Sequence, residues 1–378
     1  MESLELLMEF NEYLRGQKIS GKKIIAYISH DNIPEELIDA AGFFPLQLQF
    51  AGEDELMHRS HNYLPPSTCS FAQSCIGMFD LKPSKFRFLN EVDYIILSNH
   101  CVSDICASEI ISKYCNVKRI DFYVPYTNNK SAIDYLKLEL NNLREELEKI
   151  RGENIPDSSI LESIIKFNNF KKKLAEVNSL AIKGSTKLKI LQKAMLYGPY
   201  MLTELENFIE DHKNSTFKDK NSVKNVILTG CAIFIGDYLI DLIEEGGGNI
   251  LFYDSWIGFN YFSQTYEKET LDSYNNPMDL FTLRFKKNKY ADHCIPEHMD
   301  NRLTHIENLY NNFKEKTGSE VGVINHVIKF CDHMGLSSHK FKDKLQERGI
   351  KVLNLERDYS KANRGQLSTR IEAYMEMI

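Results

Sequence analysis

VDYIILSNHCVSDICASEIISKYCNVKRIDFYV, residues 92–124, decides how the rest of the chain is read. Val92 to Ser98 is a short, β-branched apolar run, Asp104 to Tyr114 has the spacing of a helix, and Ile120 to Val124 is apolar again. A strand, a helix and a second strand in so few residues require a parallel sheet with helices on its faces. The same alternation extends upstream. Lys23 to Ser29 is a strand, Asp31-Asn32-Ile33-Pro34 starts a helix that stops at Gly42, Phe44 to Phe50 is a strand, and Phe71 to Met78 is a helix. It returns near the other end, with strands from Val223 to Leu228, Asn249 to Tyr253, Val321 to Asn325 and Val352 to Leu355. Helices are expected there over Gly236 to Glu245, Ser337 to Arg348 and Gln366 to Met377.

Between these regions the pattern changes. Ser131 to His212 reads as long helices with charged faces, such as Tyr135 to Arg151, and contains no strand. The expected organisation is therefore an N-terminal α/β domain over residues 1–130, a helical connector over 131–220 and a C-terminal α/β domain over 221–378. A length of 378 residues is comfortable for two such domains. A net charge of −7 argues against a nucleic-acid surface, which needs a basic field. Met1 to Arg15 is acidic and amphipathic, unlike a signal peptide, and no apolar run is long enough to cross a bilayer, so a cytoplasmic protein is expected.

Eight cysteines in a reducing compartment are packed thiols or metal ligands rather than disulfides. In open α/β sheets, ligands bind beyond the carboxyl ends of the strands. Cys101 follows the strand Val92 to Ser98, Cys331 follows the strand that begins at Val321, and Cys69 stands just ahead of the helix beginning at Phe71. Three thiols on three loops that can converge suit an iron–sulfur cubane with one iron left for a non-protein ligand. Other candidates read as structure. Gly230 to Gly236 lacks dinucleotide-binding spacing, and no Walker A sequence occurs. Gly246-Gly247-Gly248 is a helix cap and turn. His293-Cys294 and His298 lack a further ligand at zinc spacing. Cys115 and Cys231 read as core, and Arg302 and Arg370, the latter at a helix start, as functional residues or surface ion pairs.

Gly322-Val323-Ile324-Asn325-His326, Lys329-Phe330-Cys331-Asp332, Val352 to Asp358 and Gly365 to Ala373 resemble the C-terminal signature of the 2-hydroxyacyl-CoA dehydratase and benzoyl-CoA reductase family, of 2-hydroxyglutaryl-CoA dehydratase D-component type. Ile33 to Phe43 resembles the helix after that family's first strand, and Ser67-Thr68-Cys69-Ser70-Phe71-Ala72-Gln73-Ser74-Cys75-Ile76-Gly77 its first cluster loop, in the smaller (beta) subunit particularly. The resemblance covers the chain except the helical connector. It implies two Rossmann-like domains with a [4Fe-4S] cluster in the cleft, held here by Cys69, Cys101 and Cys331; no catalytic residue is implied, and whether a flavin is also bound stays open. It implies an (R)-2-hydroxyacyl-CoA substrate, a heterodimer with a homologous larger subunit, and a separate ATP-hydrolysing iron–sulfur activator that injects one electron. The implied reaction passes through a ketyl radical anion and gives the (E)-2-enoyl-CoA. A radical is needed because the β-proton is not acidic beside an ordinary thioester. His100-Cys101-Val102-Ser103-Asp104 departs from the family pattern in lacking a Cys-Asp pair, which leaves Cys106 as a substitute ligand. Cys75 and Cys106 also keep open a benzoyl-CoA reductase-like or double-cubane component. From another class, a metal-free two-domain binding protein fits the same α/β pattern.

Overall fold

The computed structural model describes residues 2–28, 32–49, 53–216, 223–288 and 295–378. Strands β1 (Ile24–Tyr27), β2 (Phe44–Gln47), β3 (Val92–Ser98) and β4 (Lys118–Phe122) form a parallel sheet in the order β2-β1-β3-β4. Strands β5 (Lys224–Gly230), β6 (Gly248–Ser255), β7 (Val321–Ile328) and β8 (Val352–Arg357) form a second parallel sheet in the order β6-β5-β7-β8. The expected α/β class with two parallel sheets is present, and both sheets follow one plan. Each begins at an inner strand, adds a neighbour on one side, then reverses to the other. The reversal lies between β1 and β3 in one sheet and between β5 and β7 in the other, and such a switch point opens a crevice at the strands' carboxyl ends.

The inner strands show why the sequence folds this way. Every residue of β7 is buried, as expected for a strand covered on both faces. β4 begins two residues earlier than its apolar residues suggest, because Lys118 and Arg119, exposed and half-buried, pair with Tyr94 and Ile95 of β3. Gly246 caps the helix Leu239–Glu245 and Gly247 turns the chain at φ 84°, as the glycine run suggests.

From Lys130 to His212 the chain forms the helices Lys130–Arg151, Asp157–Asn178, Gly184–Tyr197 and Leu202–His212, joined in part by a short 3-10 turn. The first starts where the Asn129 side chain accepts from the Ala132 N–H and ends at Gly152. Its buried residues Ile133, Leu136, Leu140, Leu143 and Leu147 recur every three or four positions, so it lays one apolar stripe on the first sheet. Helix Asp157–Asn178 packs on the short helix Glu35–Ala40, and helix Gly184–Tyr197 packs on both β6 and β2. The chain after β6 turns back to the first sheet, where Tyr266, Met278, Phe281 and Phe285 share a core with Ile25, Tyr27 and Ile96. A second core runs through both sheets, from Ile24 and Ile95 to Val226, Ile324 and Leu355. Among the described residues, no helix is long and apolar enough to cross a membrane.

Candidate metal centre between the two sheets

Cys69 caps the helix Ser70–Leu81, ten of whose residues are buried, Ser70 through Phe79. The loop before it is braced by Gln73, whose amide donates to the carbonyls of Pro66 at 3.0 Å and Thr68 at 2.7 Å. Cys101 follows β3 and caps the helix Val102–Tyr114. Its neighbour Asn99 replaces missing ladder partners, accepting from the Val124 N–H at 2.7 Å and donating to the Val124 carbonyl at 3.1 Å. Cys331 follows β7, and Phe330 before it holds a left-handed φ of 63°. That conformation is strained for an aromatic residue and is kept because both flanks are tied. The Cys331 N–H donates to the Ile328 carbonyl at 3.0 Å, and the Lys329 carbonyl accepts from the Ser70 N–H at 3.3 Å.

That last bond joins the two loops across the sheets, and their thiols meet. Cys69 and Cys331 lie within side-chain hydrogen-bonding reach, and Cys331 reaches Cys231 in turn. The bond to Cys331, then burial, then the Asp104 carboxylate push the Cys69 thiol well above its ordinary range. The bond to Cys231, together with burial, pushes the Cys331 thiol up as well, against an opposing contribution from Cys69. Asp104 stands one turn after Cys101, so it ties the Cys101 helix to this group. Among the described residues, however, no three Cys, His, Asp or Glu side chains are gathered closely enough to hold a single metal ion. Two of the three expected ligands, Cys69 and Cys331, are thus brought together, and Cys231 stands beside Cys331. An all-thiol set spread over several loops suits a cluster, which takes one thiolate per iron, better than it suits a lone ion. The raised thiol pKa values are the state that a bound metal reverses by deprotonating its ligands.

A sequence model described as 2-hydroxyglutaryl-CoA dehydratase, D-component, matches residues 32–378. The chain belongs to that family. Among D-component relatives, the (R)-phenyllactyl-CoA dehydratase beta subunit of Clostridium sporogenes is 26% identical over 358 residues, covering 91% of this chain and 89% of the relative. The (R)-2-hydroxyglutaryl-CoA dehydratase beta subunit of Acidaminococcus fermentans is 23% identical over 375 residues, 97% of this chain and 95% of the relative. A benzoyl-CoA reductase subunit of Thauera aromatica is 26% identical over 251 residues, 58% of this chain and 62% of the relative.

In this D-component chain the remaining sequence candidates fall into place. Cys75 is buried in its helix, Cys106 is exposed on the helix after Cys101, and Cys115 is partly buried. His293 and Cys294 lie outside the described residues; burial, then Arg302, push the His298 imidazole down to about 4. Arg302 is no surface ion pair. It is 5% exposed, donates to Thr229 Oγ1 at 3.0 Å and Asn325 Oδ1 at 2.8 Å, and lies over the Phe341 ring. It supports a row of polar residues paired across the second sheet, Asp254, Thr229, Asn325 and Asn354. Arg370 is exposed and donates to the Asn354 carbonyl at 2.7 Å, away from any helix start.

Two features of the D-component chain have no signal in its sequence. One is a buried ionic group at the first switch point, in which Lys171 lies 2.8 Å from Glu35 and 3.2 Å from Glu36, and Arg284 pairs with Glu36. Its members Glu35, Lys171 and Arg284 line a polar cavity of about 50 Å³ with Tyr27, Asn260 and Tyr261. The other is the buried pair of Arg357 with Asp237, each side chain 1% exposed. Among the described residues, Arg357 Nη1 and the Tyr359 hydroxyl have no hydrogen-bond partner, and both residues line a cavity of about 270 Å³ that also meets Glu53 and Asp54. Glu-Arg-Asp at 356–358 is visible as part of a motif, but nothing in its spacing shows that Asp237 lies opposite.

Proposed function

We propose that this chain is the smaller, cluster-bearing subunit of an (R)-2-hydroxyacyl-CoA dehydratase, with a [4Fe-4S] cluster on Cys69, Cys101 and Cys331. The observation that carries this reading is the meeting of the Cys69 and Cys331 thiols, from loops of opposite sheets, in a chain of the D-component family. The names of the relatives as dehydratase beta subunits support the reaction class and a homologous larger subunit as partner. The proposed reaction removes water from the 2-hydroxyacyl thioester through a ketyl radical to give the (E)-2-enoyl-CoA, after one-electron activation by a separate ATP-hydrolysing iron–sulfur protein. When bound, the cluster supplies electron relay. The chain's own residues hold the three loops: Gln73 braces the first, Asn99 the second, and the Lys329–Ser70 bond the third. Apolar side chains flank the ligands at this end, with Val102 at 70% exposure, Phe330 at 42% and Leu336 at 88%, and such a surface suits a partner subunit.

Iron and acid-labile sulfide per chain, measured with flavin content on anaerobically purified wild type and on Cys69→Ala, Cys101→Ala and Cys331→Ala, test the reading. The expected result is about four irons in wild type and their loss in each variant. No iron in wild type after anaerobic reconstitution overturns it in favour of a metal-free binding role. The similarity to the benzoyl-CoA reductase of Thauera aromatica favours a reductase component as the second reading, and turnover of the two thioester classes separates the pair.

A further inference from the structure

We infer that Cys231, which reads as a packed core thiol in the sequence, is a further ligand of the same cluster, so that this subunit's cluster is closed by thiolates and serves as an electron relay. The inference rests on the cluster reading above and adds a ligand to it. Cys231 is the first residue after β5, the strand beside β7 at the switch point of the second sheet. Its thiol is fully buried and faces that of Cys331, which in turn faces Cys69. The contact does not depend on those thiols alone. The Ile328 N–H donates to Cys231 Sγ at 3.4 Å while the Ile328 carbonyl accepts from the Cys331 N–H at 3.0 Å, so one residue holds both cysteines.

The surroundings of Cys231 differ from those of a thiol that merely fills space. Its N–H donates to the His326 carbonyl at 2.8 Å. Its carbonyl lies 2.9 Å from His326 Nδ1. Arg357 Nε donates to His326 Nε2 at 3.1 Å, which makes Nε2 the acceptor and leaves the ring proton on Nδ1, donating to the Cys231 carbonyl. Asp237 fixes Arg357 in turn. Gly230 makes the approach possible. At φ +103°, a Cβ there would stand 2.3 Å from the His326 carbonyl oxygen, so only glycine lets β5 end this close to β7. A backbone amide aimed at sulfur, with an oriented histidine and a buried arginine behind it, is the outer support that metal-ligating residues have. A core thiol packed for volume needs none of it.

Four thiolates, from Cys69, Cys101, Cys231 and Cys331, leave no iron for a substrate oxygen. The acyl thioester would then be bound by the partner subunit while this chain passes the electron. The test uses anaerobically purified wild type, Cys231→Ala, Cys231→Ser and, as a control, Cys115→Ala, each checked for folding by circular dichroism. Iron per chain and the electron paramagnetic resonance spectrum are read before and after mild ferricyanide oxidation and after addition of cyanide. Wild type and Cys115→Ala should keep their iron and ignore cyanide. Cys231→Ala should lose about one iron in four on oxidation and show a cyanide-shifted spectrum, since one iron is then open. Cys231→Ser, nearly isosteric, should fold even if the alanine variant does not, and should show a shifted spectrum and a changed midpoint potential. A wild-type cluster that binds cyanide overturns the inference, as does a folded Cys231 variant with wild-type spectrum and iron retention. Wild type without iron would instead remove the cluster reading itself.

Discussion

At the scale of single residues, Lys187 states its chemistry most plainly. It is fully buried and donates to the carbonyls of Asn178 at 2.9 Å and of Leu251 rather than to a carboxylate. Burial pushes its ammonium down to about 7. The unfolded chain holds that proton up to about pH 10.4, so the unfolded state binds more protons between about pH 7 and pH 10. Stability from this group is therefore greatest at high pH and is lost as the pH falls toward 7. Relative to Lys187→Met, urea unfolding of wild type should gain about 2 kcal/mol between about pH 7.5 and pH 9; parallel profiles for the two would show that the amine stays charged. Single residues are also where the sequence is least informative. The burial of Cys231 is legible from its apolar neighbours, whereas its contact with Cys331 is not, because a loop from another strand supplies it. Arg302 is open to two readings for the same reason, and Thr229 and Asn325, which settle it, stand on neighbouring strands.

Among the elements, the helix Ser70–Leu81 links packing to the site, since it carries Cys69 at its start and Gly77 past its centre. A Cβ on Gly77 would stand 2.1 Å from the Leu56 carbonyl oxygen of the helix Asp54–Ser60. Backbone cannot give way as a flexible side chain does. Gly77→Ala should therefore cost about 2–4 kcal/mol in denaturant unfolding and reduce bound iron by moving the Cys69 loop. Full stability with unchanged iron would mean the two helices separate freely. Most of the sheet elements are readable in the sequence, because strands buried on both faces appear as compact apolar runs between turn residues. The helices Met278–Lys287 and His298–Thr317 are not. The first is only ten residues long and ends in Arg284, Lys286 and Lys287, and the second buries only five of its twenty residues, so neither shows a continuous apolar run.

For the whole molecule, the buried ionic group is the cross-brace. Glu35 and Glu36 come from the helix after β1, Lys171 from the helices between the sheets, and Arg284 from the segment that returns after β6. Burial alone would raise the Glu36 carboxyl, but Arg284 and Lys171 overcome it and hold it at about 2. An unfolded glutamate titrates near 4.3, so the stability from Glu36 is complete above that pH and is lost as the pH falls toward 2. Arg284→Met should cost about 3–5 kcal/mol at neutral pH by leaving a buried carboxylate with half its partners. The gap from wild type should narrow below about pH 4 as Glu36 is protonated; a constant gap across that range would mean the arginine acts by packing alone. The amino-acid sequence by itself determined the α/β class, most strands of the two parallel sheets and the cysteines placed at strand ends, because local periodicity and turn chemistry are properties of consecutive residues. Tertiary structure alone decided that Cys69 meets Cys331, that Cys231 joins them, and that Asp237 backs Arg357. Each pair comes from strands or loops far apart in the chain, and which loops face each other depends on how two like sheets are set against one shared core.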